Sequence, residues 1–339
     1  MVVRIGVVGT GAIGQDHIVR LSGKIAGAKV VAVNDISSDN AKIAAEKAGG
    51  AKIYQDPHAL IKADDVDAVV VTSWGPSHEE FVSAAIQAGK YVFCEKPLAT
   101  TAQGCKNIVE AELKRGKRLL QLGFMRPFDR TYRTLKEALN NNIVGRPLMV
   151  NCKHFNPAVP DSYTTEMGVV DSHVHEIDVL RWLLNDDYKS ARVQFPRSTS
   201  RAKEGVKDPQ IVTLETKSGI IITTQIFVNC HYGYDIHCEV IGEDGIVSLP
   251  EPNLAWVRKD GQLQREIFMD WKKRFIEAYD VELQAFVDGV IKGEITEGAT
   301  AWDGYVASVT ADACAKSQKT GNAEPIELPE TPLFYAKNQ

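Results

Sequence analysis

Three groups of residues have types and spacings that could do chemistry. Asp171, His175 and Asp178 stand at i, i+4 and i+7 in VVDSHVHEIDVLRWLL (169–184), a segment whose pattern is helical. That spacing puts two carboxylates and a histidine on one helical face. Histidine has a pKa near working pH, and an adjacent carboxylate orients it and stabilises its cation, so the set suits proton transfer. Lys96 lies between Glu95 and Pro97 at the end of the run YVFCEKP (91–97). A lysine there can donate a hydrogen bond to a substrate oxygen and stabilise developing alkoxide charge. Pro97 restricts it to extended backbone, which aims it. The third group is Gly9-Thr10-Gly11-Ala12-Ile13-Gly14, which follows the apolar run Val2 to Val8 and precedes a helix-compatible segment. Strand, G-x-G-x-x-G, helix is the order of a dinucleotide-binding turn. Gly9 allows the tight turn, a side chain at Gly11 would block a pyrophosphate, and Gly14 lets helix and strand pack closely. The helix N-terminus then offers N–H groups and partial positive charge to the phosphates.

The elements that must position these residues fall into two regions. Up to about residue 122, strands and helices alternate. The strands are 2–8, 29–36, 66–73, 91–97 and 119–124, and a helix at 79–89 is closed by Gly89. Such alternation implies a parallel, doubly wound sheet, on which ligands bind beyond the carboxyl ends of the strands. The residues at those ends are the candidate cofactor contacts: Gly9, Gly11, Ala12, Ile13 and Gly14, then Asp35 and Ile36, Ser73, Trp74 and His78, and Glu95 with Lys96. Asp35 lies 21 residues after Gly14, where a carboxylate accepts hydrogen bonds from a ribose 2′-OH and repels a 2′-phosphate. Ile36, Ser37 and Ser38 bring no cation, so NAD is expected rather than NADP. His17 is expected to pack behind the glycine loop.

After about residue 145 the pattern changes to hairpins, with turns at Lys217-Ser218-Gly219 and Glu243-Asp244-Gly245. Helical segments lie at about 168–184, 272–292 and 301–319. Trp271, Phe275 and Tyr279 recur every four residues and read as one core stripe. The expected architecture is an α/β N-terminal Rossmann domain (1–124) plus an α+β C-terminal domain (125–339) with a mostly antiparallel open sheet. The second domain serves substrate binding and oligomerisation. Ile221, Thr223, Gln225 and Phe227 share one face of a strand, a mixed surface suited to sheet-to-sheet contact. A homo-oligomer, with four subunits, is expected to use it.

Composition bounds the function classes. The chain has 339 residues, a net charge of -5, 44% hydrophobic and 24% charged residues. These are the proportions of an ordinary soluble protein of two domains. The charge argues against a nucleic-acid partner, and no apolar run is long enough to span a bilayer. The N-terminus enters the first strand at once, leaving no room for a signal peptide, so a cytoplasmic location is expected. The six cysteines lack C-x-x-C spacing and read as buried thiols. His237 and Cys238 point to opposite faces of an alternating strand that carries Tyr234, Ile236, Cys238 and Val240 on one side, so no metal site is expected.

GTGAIG, Ser73-Trp74-Gly75-Pro76-Ser77-His78, Glu95-Lys96-Pro97, and Asp171 followed four residues later by His175 together resemble the family that includes inositol dehydrogenase and glucose–fructose oxidoreductase. SWGPSHEE, YVFCEKPLATT, LGFMRPFD, VVDSHVHEIDVLRWLLNDDY, YGYDI and AWDGYVA carry the likeness toward its inositol-oxidising members over nearly the whole chain. The resemblance implies that Lys96, Asp171 and His175 are catalytic. It implies that Arg126, His154, Asn156, Asp178 and Tyr234 surround a polyhydroxylated ring, each hydroxyl of which needs a partner once water is excluded. It also implies NAD-dependent oxidation of a cyclitol hydroxyl, myo-inositol giving its 2-keto product. Phe155 and His173 fall outside the matched pattern. A pyranose dehydrogenase is the nearest other reading; an NAD-dependent glycosidase and a sugar-sensing regulator are readings from other classes.

Overall fold

The computed structural model describes residues 2–251 and 254–336, which form two compact units. The first comprises Met1–Met125, Ala278–Ser308 and Pro329–Gln339. Its sheet joins β1 (Val3–Val8), β2 (Ala28–Asn34), β3 (Lys52–Ile53), β4 (Ala68–Val71), β5 (Tyr91–Glu95) and β6 (Leu120–Gly123) in the order β3-β2-β1-β4-β5-β6. Every pairing is parallel. The helices that cross between strands are α1 (Ala12–Gly23), α2 (Ser38–Lys47), α3 (Pro57–Ile61), α4 (His78–Gln87) and α5 (Ala102–Arg115). A parallel sheet has both faces covered, which is why β4 is an unbroken run of buried Ala68 to Val71. The strand order reverses between β1 and β4, and ligands of such sheets bind at that switch point.

The second unit comprises Arg126–Glu277 and Val309–Leu328. Its helices α6 (Arg130–Asn140) and α7 (Val174–Leu184) accompany a seven-stranded sheet. The strands are β7 (Pro147–Phe155), β8 (Tyr188–Gln194), β9 (Gln210–Thr216), β10 (Ile221–Phe227), β11 (Asp235–Gly242), β12 (Ile246–Ser248) and, further along the chain, Glu324–Pro325. Only β7 and β10 pair in parallel; the other pairings are antiparallel. β10 alternates as its sequence implies: Ile222, Thr224 and Ile226 are buried, while Ile221 and Gln225 are exposed. Tyr188 donates its hydroxyl to the Ile177 carbonyl at 2.6 Å and so seats β8 against α7. A separate hairpin pairs β13 (Trp256–Lys259) with β14 (Gln262–Arg265). All six cysteines are buried and none is joined in a disulfide. Among the described residues no helix is long and apolar enough to cross a membrane.

Two expected helices are corrected. The segment 168–184 is not one regular helix. Gly168–Ser172 forms a π-turn, closed by His173 N–H on the Gly168 carbonyl at 3.0 Å, and α7 begins only at Val174. Asp171 thus lies in the π-turn and His175 on the helix that follows it; such turns recur at functional sites. The 272–292 helix is broken at Phe275 into α8 (Trp271–Arg274) and α9 (Ile276–Lys292). Phe275 packs on Tyr234 in the second unit, whereas Tyr279 packs on His17 in the first. The four-residue stripe therefore serves two cores.

The rest of α9 shows why Ala278–Ser308 joins the first unit. Leu283, Phe286, Val287 and Val290 recur at helical spacing and are buried in one cluster with Val3, Ile5 and Val7 of β1 and Ile18 and Leu21 of α1. Arg20 of α1 pairs with Asp280 and lies over the Tyr279 ring at 5.4 Å. Leu122 N–H bonds the Ala299 carbonyl at 2.8 Å, occupying part of the edge of β6 before α10 (Ala301–Thr320) begins. Phe286 is fully buried against Phe93, with centroids 5.8 Å apart. Phe286→Ala should therefore cost about 3–5 kcal/mol of stability. Urea unfolding would read it, and a loss under about 1 kcal/mol would show that α9 is not part of this core.

Candidate active site

The strand ends of the first unit are stitched together. Gly9 has φ +88°, and a Cβ there would lie 2.3 Å from Ser73 Cα. A Cβ at Gly14 would lie 2.3 Å from the Gly9 carbonyl oxygen. Both positions therefore require glycine. The contact is fastened by Thr72, whose hydroxyl donates to the Gly9 carbonyl at 2.5 Å. At Gly11, by contrast, a Cβ would meet nothing within 4 Å. Gly11 is also the N-cap of α1, and no side chain caps it. Ser37, Asp56 and Thr101 do cap α2, α3 and α5. Open space facing uncapped helical N–H groups is the surface a pyrophosphate needs.

Asp35 ties the second strand end to the first. Its Oδ2 accepts from the Thr10 N–H at 2.6 Å and the Thr10 hydroxyl at 3.0 Å, and Oδ1 accepts from the Ser37 N–H at 2.8 Å. A carboxylate has about four acceptor positions, so Oδ1 keeps capacity for a ribose hydroxyl. Ile36 and Trp74 are exposed although apolar, at 106% and 79%, and offer flat contact area beside this edge. The His78 ring nitrogens lie 2.7 Å from the Pro97 carbonyl and 3.0 Å from the Ser73 carbonyl, bridging two turns. Glu95 Oε1 accepts from His17 Nε2 at 2.7 Å, and its Oε2 accepts from the Lys96 N–H at 3.2 Å. His17 is fully buried on α1, as its packing behind the glycine loop requires. Lys96 is half-buried at the end of β5, and the Lys96–Pro97 peptide is cis.

In the second unit the structure gathers Arg126, His154 and Glu176 into one buried cluster. Arg126 pairs with Glu176, and both side chains are 1% exposed. His154 Nδ1 lies 2.8 Å from Glu176 Oε2 and 3.0 Å from Oε1. Burial alone would raise the Glu176 pKa, but Arg126 and His154 hold it down to about 2. Burial alone would lower the Arg126 pKa, but Glu176 raises it above the ordinary value. The pair is therefore ionised. His154 approaches the His175 ring at 6.5 Å between centroids and the Tyr234 ring, edge-on, at 6.1 Å. Asn156 follows β7 directly, and its Oδ1 is buried with no hydrogen-bond partner among the described residues. Asp171 sits in the π-turn, while His175 and Asp178 lie on α7; Asp178 is buried and His175 half-buried.

Sequence reasoning missed Glu176. The signal was present: His173, Glu176, Leu180 and Leu183 follow helical spacing, so a carboxylate stands in a stripe that is otherwise buried. Such a carboxylate needs a cationic partner, which Arg126 provides.

His173 belongs to the same stripe. It is fully buried, neither ring nitrogen has a hydrogen-bond partner among the described residues, and burial lowers its pKa from 6.5 to about 4. Between those values the unfolded chain binds a proton that the folded protein does not. Stability therefore falls as pH drops from about 6.5 to about 4, by about 3 kcal/mol from this residue. His173→Leu should remove that part of the acid sensitivity. Urea unfolding across this pH range checks it, and an unchanged pH dependence in the variant would exclude a neutral buried His173.

Residues 3–124 match the family described as "Oxidoreductase family, NAD-binding Rossmann fold", and residues 136–328 match "Oxidoreductase family, C-terminal alpha/beta domain". The chain is 59% identical over 338 residues to inositol 2-dehydrogenase of Serratia proteamaculans, covering 99% of this chain and all of that one. It is 57% identical to the inositol 2-dehydrogenase/D-chiro-inositol 3-dehydrogenase of Shouchella clausii, covering 99% of this chain and 97% of that one. The crystal structure of myo-inositol dehydrogenase from Lactobacillus casei, in complex with NAD(H) and myo-inositol, is similar with a TM-score of 0.97 at 44% identity, covering 99% of this chain and all of that one. The chain therefore belongs to the oxidoreductase family that joins an NAD-binding Rossmann fold to a C-terminal alpha/beta domain.

Proposed function

We propose that this chain is an NAD-dependent dehydrogenase that oxidises a cyclitol hydroxyl, converting myo-inositol to its 2-keto product. The observation that carries the reading is the likeness over 99% of the chain to an enzyme crystallised with NAD(H) and myo-inositol. Supporting it are the open Gly11 cradle and the Asp35 carboxylate with no cation after it, which suit NAD.

NAD supplies the hydride acceptor. Gly11, Ala12, Ile13 and Gly14 present N–H groups to its phosphates, Gly9 holds the turn with its own N–H on the Asn34 carbonyl at 2.9 Å, and Asp35 takes a ribose hydroxyl. Ile36, Ser73, Trp74, His78 and Glu95 complete its contacts. Arg126, His154, Asn156, Asp178 and Tyr234 form the polar surround of the ring, with the buried Asn156 Oδ1 as a waiting acceptor. His175 takes the hydroxyl proton as the general base. Lys96 donates to the reacting oxygen, and Asp171 orients His175 or holds a ring hydroxyl. By role, residues 1–124 serve the dinucleotide and 125–339 substrate and assembly, although Ala278–Ser308 and Pro329–Gln339 of the second stretch pack with the first unit.

We also propose a homotetramer, with the open face of the seven-stranded sheet as a subunit contact. Met149, Asn151, Ile221 and Gln225 stand exposed on adjoining strands of that face. A cytoplasmic location is proposed because six buried thiols suit a reducing compartment.

NADH formation, followed across inositol isomers and glucose, should be greatest with myo-inositol and should fail with NADP. Turnover of glucose alone would replace the cyclitol reading with a pyranose one. General-base catalysis contributes about 10²–10⁴-fold, so His175→Ala should lose turnover on that scale with NAD affinity unchanged. Near-full turnover in that variant would remove His175 from the role. Sedimentation at micromolar concentration should show a single tetrameric species; monomer alone would rule out the assembly.

A further inference from the structure

We propose that Glu176 is a positioning residue that fixes which ring nitrogen of His154 carries a proton, so that Nε2 is held as an acceptor for a substrate hydroxyl. The inference rests on the cyclitol reading for the identity of that hydroxyl. It goes beyond that reading in giving a role to a residue outside the catalytic set.

Glu176 is fully buried and ionised, so both its oxygens accept and neither donates. His154 Nδ1 lies within 3.0 Å of both oxygens. A hydrogen bond there requires the proton on Nδ1. Arg126 Nη2 lies 3.2 Å from the same Nδ1. A guanidinium only donates, so it competes with the carboxylate for this nitrogen and, taken alone, would favour the proton on Nε2. The two carboxylate contacts are the shorter ones and come from an ionised acceptor, so they set the assignment. With Nδ1 holding its proton, the neutral imidazole has its lone pair on Nε2. Nε2 has no protein partner among the described residues. The ring is flanked by His175 and by the edge-on Tyr234 ring.

The design is a carboxylate behind a histidine, which sets tautomer and orientation together. Arg126 makes it durable. Without that cation Glu176 would take up a proton, and its oxygen could then donate to Nδ1 and move the lone pair to the wrong side of the ring. His154 is placed to bind a hydroxyl that does not react, so an error in its tautomer weakens substrate binding more than turnover.

Nitrogen NMR of the unmodified protein labelled with 15N-histidine reads the tautomer directly, the His154 signals being assigned by their loss in His154→Gln. Nδ1 should read protonated and Nε2 unprotonated. Glu176→Gln can either accept from or donate to Nδ1, so both tautomers should appear. Its KM for myo-inositol should rise about tenfold, with kcat and NAD affinity changed by less than about threefold. Glu176→Asp, which keeps the charge, should fall between the two and restore a single tautomer. A protonated Nε2 in the unmodified protein overturns the proposal. So does an unchanged KM in Glu176→Gln, or a kcat loss at constant KM, which would place Glu176 behind His175 instead. If Glu176→Gln does not fold, the spectra of the unmodified protein and of Glu176→Asp decide. If no cyclitol is turned over, the function reading fails, while the spectra still decide whether Glu176 fixes the tautomer.

Discussion

The site of the first unit depends on one close backbone approach. Gly9 lies so near Ser73 that no side chain fits, and Gly14 lies as near to the Gly9 carbonyl. That contact fixes the turn after β1 against the turn after β4, where the sheet order reverses. Its consequences spread outward. Thr72 can reach the Gly9 carbonyl only because the strands end together. Thr10 is carried to Asp35, and α1 starts at an angle that brings His17 to Glu95. A cofactor cradle and the residue before Lys96 are thereby held by one turn. Glycine here is a requirement of space, with loop flexibility a secondary matter.

The second unit is organised by a different constraint, the cost of buried charge. Taking Arg126 and Glu176 out of water is expensive, and a pair of this kind contributes little net stability. Losing either partner is another matter, because the remaining charge would be stranded. The pair therefore holds the Arg126 turn, the end of β7 and the start of α7 at one set of distances. His154 is the third member and the one that turns toward the polar residues around it. His173, alongside in the same stripe, has no such partners and stays neutral. Two histidines three positions from Glu176 or facing it thus have opposite environments, set by which one meets the carboxylate.

Much of this was legible in the sequence, and what was not has physical reasons. The parallel strands declared themselves because strands covered on both faces become unbroken β-branched runs such as AVVV at 68–71. The hairpins declared themselves through Gly219 and Gly245 turns between alternating runs. β3 did not, since two residues carry no period. The π-turn at 168–172 left no mark, because one extra residue in a turn changes register without changing composition. The break at Phe275 was hidden by a spacing that looks continuous, although its aromatic rings serve separate cores. In the candidate site, the sequence singles out residues with obvious chemistry and passes over Glu176. A carboxylate in a charged-looking segment reads as solvated unless its neighbours at i−3, i+4 and i+7 are checked for burial.

Under the proposed function, recognition of a neutral polyol would explain the form of these polar groups. Such a ligand offers no charge to attract, so a cation or carboxylate facing it adds little discrimination by itself. What distinguishes one ring isomer from another is the direction of each hydrogen bond. Groups whose donor and acceptor ends are fixed in advance can read that direction, and groups that rotate or exchange protons cannot. Asn156 Oδ1, buried as an acceptor without a partner among the described residues, is such a group. His154 becomes one only when its tautomer is pinned. A site built this way rejects an analogue lacking a hydroxyl far more strongly than one with an extra methylene, since a buried polar group is then left unpaired. The buried ion pair behind His154 fits that demand: the Glu176 carboxylate, held ionised by Arg126, gives the imidazole in front of it a direction.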